Sequence, residues 1–434
     1  MNLFTLSLQL NNYPIKEAKN LLKEIQSIPA EDFQQYQERK KQEIVEFHLQ
    51  HNAFYRGFFK TEKFSKWEDV PVIRKQDMQR PLQDRLSVGY SAKKVLVAKT
   101  SGSGGHPFIF SKDKFCHALT WAIFSDRYGL HGIDLNNSLQ ARFYGIPLNK
   151  TGYFKERLKD KLSRRYRFPI FNLNVEELER VLLKFKKTNF EYINGYTSSI
   201  VLFAKFLKEK NIVLKSVCPT LKLCIVTSEM LFENDRIILE EQLGVKVLNE
   251  YGASEVGLIA FQNLKNELVI SSEDLFVEIL DDNNKAVPNG AEGKIVITSL
   301  FNKSHPFIRY EIGDRGILHE SSTAKKQILQ QLTGRTNDIA ILPSGKVVPG
   351  LTFYYVTKSV IEDAGRVKEF VVQQKASDTF KFIYVGQMLS AEKINDIKKA
   401  VEVYLEKGLK LEFENVEVLN RSNRGKLKQF EKLF

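Results

Sequence analysis

The sequence predicts an α/β fold with a large N-terminal domain over residues 1–334 and a small α+β C-terminal domain over residues 335–434. The large domain is expected to carry a parallel-sheet core and a β-rich subdomain. Three observations point there. Between Val95 and Gly257, short apolar, β-branched runs alternate with amphipathic stretches. From about residue 267 the pattern becomes a series of short β-like runs separated by turn residues. Beyond Gly334 it changes again, into a mixture of hairpin, helices and strands.

The first 90 residues read as helical, with apolar residues at helical spacing among many charges from Glu31 to Asn52, and Pro71 and Pro81 punctuate the stretch after it. Val95 to Ala98 (VLVA) reads as a buried strand, and Lys114 to Leu130 as a helix. Lys155 to Arg167 holds seven basic and two acidic side chains. It reads as a solvated helix face, with contact to a ligand's phosphates as the alternative. VEELERVLLKFKK is an amphipathic helix, and YINGYTSSIVLFAKFLKEK starts as strand and turn and continues as helix. Leu221 to Glu229 reads as a buried strand, ENDRIILEEQLG as a helix stopped at Gly244, and VKVLNEYGASEVG as a strand leaving into a turn. ELVI, LFVEIL, GKIVIT and FIRYEI form the β-rich series. The C-terminal stretch gives a hairpin (IAILPSGKVV), a helix (FYYVTKSVIEDAG), two strands (EFVVQQ, FKFIYVG), a helix (AEKINDIKKAVEVYLEKG) and a last strand (LEFENVEVL).

Composition narrows the function classes. The 434 residues are 43% apolar and 27% charged, ordinary values for a globular protein. No apolar run is long enough for a transmembrane helix, and the N-terminus lacks the basic start of a signal peptide. The three cysteines, Cys116, Cys218 and Cys224, suit a reducing compartment better than a disulfide framework, so the expected location is the cytoplasm. No CxxC or HExxH spacing marks a metal site. The net charge of +13 reads as a lysine-rich surface; no RNP, zinc-finger or helix-turn-helix pattern accompanies it, so no nucleic-acid partner is expected.

The most informative local motif is Thr100-Ser101-Gly102-Ser103-Gly104-Gly105. Glycines let the backbone approach an anion, and successive N–H groups with neighbouring hydroxyls can cradle phosphates. No Gly-Lys-Ser/Thr closes the loop, so it is not a Walker A motif, and alone it fits a linker equally well. Four further segments come after it in order. Asn249 to Glu255 (NEYGASE) offers an aromatic face and a carboxylate. Ile308 to Asp314 (IRYEIGD) ends in an acidic residue, expected in a turn and suited to ribose hydroxyls. Thr333 to Asp338 (TGRTND) lies at the domain junction, and Asn423 to Lys428 (NRGKLK) is a basic turn.

As an ordered set these motifs resemble those of the adenylate-forming superfamily of acyl-CoA synthetases, peptide-synthetase adenylation domains and luciferases. The resemblance is strongest to the phenylacetate–CoA ligase branch, which also contains capsular-polysaccharide biosynthesis proteins. It extends over nearly the whole chain, through FQQYQERK, HNAFYRGFF, VPVIRKQDM, RFYGIPL and YGASEVGLIAF.

The resemblance implies an enzyme that joins a small carboxylic acid to ATP, releasing pyrophosphate, and passes the acyl group to CoA or another acceptor. Thr100 to Gly105 would wrap the β- and γ-phosphates. Ser228 and Glu229 would line the adenine pocket with the Glu250-Tyr251-Gly252 segment, whose Tyr251 would stack on adenine. Glu255 would help hold Mg²⁺, Asp314 would bind the ribose hydroxyls, and Arg335 would support the ribose and phosphate region. Lys426 would reach the α-phosphate from a C-terminal domain turning about Asp338. Phe143, Tyr144, Tyr196 and Ser198 stand where an acid pocket is expected, and a homodimer is compatible with the resemblance. The sequence departs from the family pattern at Gly104, where a hydroxyl residue is usual, which removes one donor to the phosphates. The FQNLKNELVI stretch lacks the Cys and His of a zinc site found in some relatives, so no zinc is expected.

Overall fold

The computed structural model describes residues 3–60, 64–78, 80–99, 108–145, 150–170, 173–335, 339–349, 352–353, 356, 367–420 and 428–434. By contacts the chain divides into two compact units. The first comprises Met1–Gln140, Phe154–Tyr166 and Leu248–Leu332; the second comprises Ala141–Tyr153, Arg167–Val247 and Thr333–Phe434.

In the first unit, a sheet runs in the order Ile73–Arg74, Tyr310–Leu318, Glu292–Ser299, Leu275–Leu280. The first pair is parallel and the others antiparallel. Leu275–Leu280 and Glu292–Ser299 are buried almost throughout, so the turn-punctuated runs read from the sequence do form a β-rich body. Its core takes Ile44, Val45 and Leu49 from the helix Phe33–His51, Phe108 and Phe110, and Ile295, Ile297, Phe307 and Tyr310. The helix Lys114–Gly129 starts where Asp113 accepts a hydrogen bond from the Cys116 N–H, a side-chain N-cap.

The strand expected at Val95–Ala98 is Leu96–Lys99. It belongs to a two-stranded antiparallel hairpin with Ile109–Lys112, is only half-buried, and leaves Val97 exposed. Its β-branched residues fit a pleated surface but do not say which sheet it joins.

In the second unit, Tyr192–Tyr196 and Leu223–Thr227 pair in parallel, and every residue of both is buried. Burial on both faces is what a continuous apolar run means in a parallel sheet. The helix Val175–Lys186 buries Leu178, Val181, Leu182 and Phe185, one stripe at helical spacing, and is capped by Asn174. Glu233–Leu243 stops at Gly244, which adopts the left-handed conformation at φ 67°. Within the C-terminal stretch four strands run in the order Lys410–Val416, Thr379–Gly386, Val367–Ala376, Phe430–Lys432. The central pair is antiparallel and both outer pairs are parallel. The helix Ala391–Tyr404 contributes Ile397 and Val401 to their core. The strand Phe430–Lys432 has no counterpart among the elements expected from the sequence: three residues carry too little periodicity to be read. Most of the helix expected at FYYVTKSVIEDAG lies outside the described residues.

Candidate active site

The strand Lys246–Ala253, which belongs to the first unit from Leu248 on, turns back through Ser254–Val256 into Gly257–Gln262. The register shifts between Tyr251 and Gly252, a bulge that redirects the strand as it leaves the sheet. The close return requires glycine: a Cβ on Gly252 would lie 2.9 Å from the Gly257 carbonyl oxygen, and Gly257 sits at φ 101°.

This hairpin brings together residues far apart in sequence. The Tyr251 hydroxyl donates to Asp314 Oδ2 at 2.7 Å. Tyr310 donates to Glu255 Oε1 at 3.2 Å, and Tyr128 donates to Glu250 Oε2 at 2.5 Å. Glu250 and Glu255 are both buried. Burial, reinforced by the Glu255 charge, pushes the Tyr310 phenol far up, so it stays a donor at any working pH. Asp314 lies inside the strand Tyr310–Leu318 rather than in the turn expected of it. Gly313, at φ 89°, explains the misreading: a glycine beside an aspartate reads as a turn, and here it serves a strand.

Tyr310 and Tyr128 are the residues the sequence does not single out. Tyr310 sits within a recognised motif, but its task depends on a carboxylate 55 positions away. Tyr128 reaches over 122 positions, for which no local signal exists.

Thr100 to Gly105 lie outside the described residues, but the strand Ile109–Lys112 that follows them in sequence is held by a buried polar network. Arg85 Nη2 donates to the Ile109 carbonyl at 2.7 Å, its Nη1 meets His305 Nε2, and its guanidinium stacks over Phe108 at 5.2 Å. Asn302 Nδ2 donates to the Ser111 carbonyl at 2.9 Å, and the Ser111 and Ser304 hydroxyls are 3.0 Å apart. Lys112 is 3% exposed. Burial pulls its pKa down, against the fields of Cys116, Asp274, Glu255 and Asp113.

The second unit gathers a separate group. Ser228, at φ 70°, follows the strand Leu223–Thr227, and the strained turn aims Glu229 at the start of the helix Thr197–Glu209. Glu229 Oε2 accepts from the Ser198 N–H at 2.7 Å, a carboxylate at the positive end of the helix dipole. The Tyr144 and Tyr196 rings lie 4.6 Å apart, and the Arg142 guanidinium sits 4.2 Å above Tyr144. Phe143 is fully buried against Phe168 and Phe203, which makes it a core aromatic. Arg335 ends the strand Leu329–Arg335, with its side chain outside the described residues; Asp338 and Lys426 also lie outside them.

A shallow cavity of about 420 Å³ opens elsewhere in the first unit, beside Glu38, Lys41, Trp67, Phe276 and Glu278, and holds none of the expected site residues. Within its lining, Lys41 pairs with Glu38 at 2.7 Å over the Trp67 and Phe276 rings, and Glu278 pairs with Arg309 at 3.2 Å.

No cluster of three or more metal-ligating side chains occurs among the described residues. A magnesium ion carried by nucleotide phosphates needs only one or two protein carboxylates. Glu255 fits that demand: one oxygen is fixed by Tyr310, and the other accepts no hydrogen bond from a described residue.

No family model matches the chain. It is 22% identical over 389 residues to protein CapK of Staphylococcus aureus, covering 85% of this chain and 81% of that protein. It is 23% identical over 406 residues to the phenylacetate-coenzyme A ligase of Thermus thermophilus, covering 86% and 87%. Among solved structures, a 2-hydroxyisobutyryl-CoA ligase in the postadenylation state, in complex with R3-HIB-AMP, superimposes with a TM-score of 0.71 at 18% identity. That match covers 93% of this chain and 90% of the ligase, and it shows a shared fold. The chain thus has the α/β fold of this CoA ligase and is similar over most of its length to CapK and to a phenylacetate-coenzyme A ligase.

Proposed function

We propose that this enzyme activates a small carboxylic acid with ATP and transfers the acyl group to the thiol of CoA. The observation that carries the reading is the pairing of Tyr251 with Asp314 beside a buried Glu255 held by Tyr310. An aromatic face, a ribose-binding carboxylate and a metal-binding carboxylate are the parts an adenine nucleotide with its magnesium requires.

In the first half-reaction a carboxylate oxygen attacks the α-phosphorus, the bond to the bridging oxygen breaks, and pyrophosphate leaves. In the second, the CoA sulfur attacks the acyl carbon and AMP leaves. Magnesium, when bound, offsets negative charge on the phosphate oxygens. Glu255 holds its position through Tyr310, and Tyr251 is kept from rotating by Asp314. Tyr144, Tyr196 and Ser198 form the acid pocket in this reading, with Glu229 fixing the Ser198 backbone. Thr100 to Gly105 hold the β- and γ-phosphates, Arg335 supports the ribose and phosphate region, and Lys426 meets the α-phosphate.

The proposed domain boundary at 334/335 draws support from an apolar core that runs from Ala340 to Phe430 and takes its members from that stretch. Asp338 is the proposed hinge, and such closure is a known route to two half-reactions in one site. No helix among the described residues is long and apolar enough to cross a membrane, which is compatible with the proposed cytoplasmic location.

The test is ATP–pyrophosphate exchange across a panel of aryl and small aliphatic acids, followed by CoA-dependent AMP release with the best acid. Exchange with at least one acid is expected, and Glu255→Gln should lower it by roughly 100-fold with a raised magnesium requirement. Absence of exchange with every acid would sink the reading. Exchange without CoA-dependent AMP release would move the acceptor from CoA to an amine, a sugar-linked group or a carrier protein.

A further inference from the structure

We infer that the helix Lys150–Leu162 is a docking surface for anionic membrane lipid. Phe154, Leu158 and Leu162 recur every fourth residue and are 70%, 60% and 48% exposed. At about 100° per residue they form one stripe about 80° wide. On the same helical wheel Arg157 and Lys161 run along one border of the stripe, and Lys159 along the other. On the opposite face Asp160 is 2% exposed and pairs with Arg165 at 2.5 Å. Arg157 stacks over Tyr166 at 5.0 Å, and Lys159, half-exposed, pairs with Glu156 at 2.7 Å. Arg164, just beyond the helix, is also exposed.

A solvated helix normally turns its apolar residues inward. Here the acidic residue is inside and the apolar stripe is outside, between two rows of cations. That arrangement suits the boundary between lipid headgroups and acyl chains, where apolar side chains enter the acyl region and lysine and arginine reach phosphates at either side. Two other occupants fit less well. A second copy packed stripe to stripe would bring its cationic borders against these, a like-charge clash. Nucleic acid would meet the cations but leave the stripe in water. Each basic side chain near an anionic surface contributes about 1 kcal/mol, a factor of roughly five in binding.

The test is flotation of the full-length protein with phosphatidylcholine vesicles, alone or with about a third phosphatidylglycerol. Binding is expected to the anionic vesicles, to fall steeply with added salt, and to be at least roughly tenfold weaker on neutral vesicles. The triple variant Phe154→Ser/Leu158→Ser/Leu162→Ser should lose roughly tenfold or more of the anionic binding. Lys159→Glu/Lys161→Glu should lose a similar amount. All three substituted apolar residues are exposed, so an unchanged thermal unfolding curve is expected, and the charge variant provides a second readout should the triple variant fail to fold. Equal binding to both vesicle types, or anionic binding that neither variant weakens, overturns the inference. So does absence of vesicle binding together with a dimer, seen by light scattering, that the triple variant dissociates; that would assign the stripe to a second copy.

Discussion

Tyr251 and Asp314 are 63 positions apart, and a single hydrogen bond of 2.7 Å makes them one unit. Each is legible alone, as an aromatic after a strand and as an acid beside a glycine, but their contact is not. A hydrogen bond to a charged group is worth about 1.5–3 kcal/mol. Tyr251→Phe keeps the ring and removes that bond, so the apparent KM for ATP in pyrophosphate exchange should rise roughly tenfold. Asp314→Ala removes in addition the group proposed to receive the ribose, and should raise it further. Titration calorimetry with ATP separates a binding effect from a catalytic one; unchanged affinity in both variants would detach this pair from the nucleotide. Tyr310 and Tyr128 show the limit of residue-level reading. Their sequence neighbourhoods say only that an aromatic side chain is present, and the carboxylates they orient arrive through the fold.

At the level of elements, alternation of strand and helix is legible wherever burial is uniform along the segment, as in Leu223–Thr227, or striped, as in Val175–Lys186. Sheet membership is not: Leu96–Lys99 reads like a core strand and is half of an isolated hairpin. The Tyr251 hairpin makes the energetics testable. Gly252→Ala places a methyl 2.9 Å from a backbone oxygen that can retreat only if the hairpin opens. A loss of about 1–3 kcal/mol in urea unfolding is expected. Gly57→Ala, in the helix Ala53–Phe59 with nothing within 4 Å of the new methyl, should instead gain about 0.5–1 kcal/mol.

The same scale holds the buried histidines. His48 Nε2–H donates to the Asn302 carbonyl at 2.9 Å and its Nδ1 accepts from the Ser87 hydroxyl at 3.2 Å, so both ring nitrogens are used in the neutral form. Burial holds His48 and His117 down at about 4, against 6.5 in the unfolded chain. Between those values the unfolded chain binds protons that the native chain refuses, so this contribution to stability is lost as pH falls from 6.5 towards 4. From pH 7 to 5 the loss is about 2 kcal/mol per histidine. Asp113, Asp274 and Glu278, raised by burial, act in the opposite sense as pH rises. The difference between the wild type and His48→Gln therefore isolates the His48 share: the variant's urea midpoint should shift less between pH 7 and 5. An equal shift would remove His48 from the account.

For the whole molecule, fold class is legible because 434 residues hold enough repeated pattern to average out local errors. The candidate site is legible only as an ordered set of motifs, since each one alone also fits a linker, a turn or a core aromatic. The C-terminal stretch brings the matter to one residue. Lys426 lies outside the described residues, in the sequence between the strands Lys410–Val416 and Phe430–Lys432, and Phe430 is held in the core through a stack on Phe353 with centroids 4.9 Å apart. If Lys426 delivers a cation to the α-phosphate only during adenylation, the two half-reactions must respond differently to its loss. Lys426→Ala should lower pyrophosphate exchange by roughly 100- to 1,000-fold, the usual cost of removing one electrostatic donor from a reacting centre. ATP binding by calorimetry should remain within a few fold, and thioester formation from a supplied acyl-adenylate should be nearly unaffected. Equal loss in both half-reactions would make Lys426 a structural residue, and no loss in either would place the catalytic cation elsewhere in the chain.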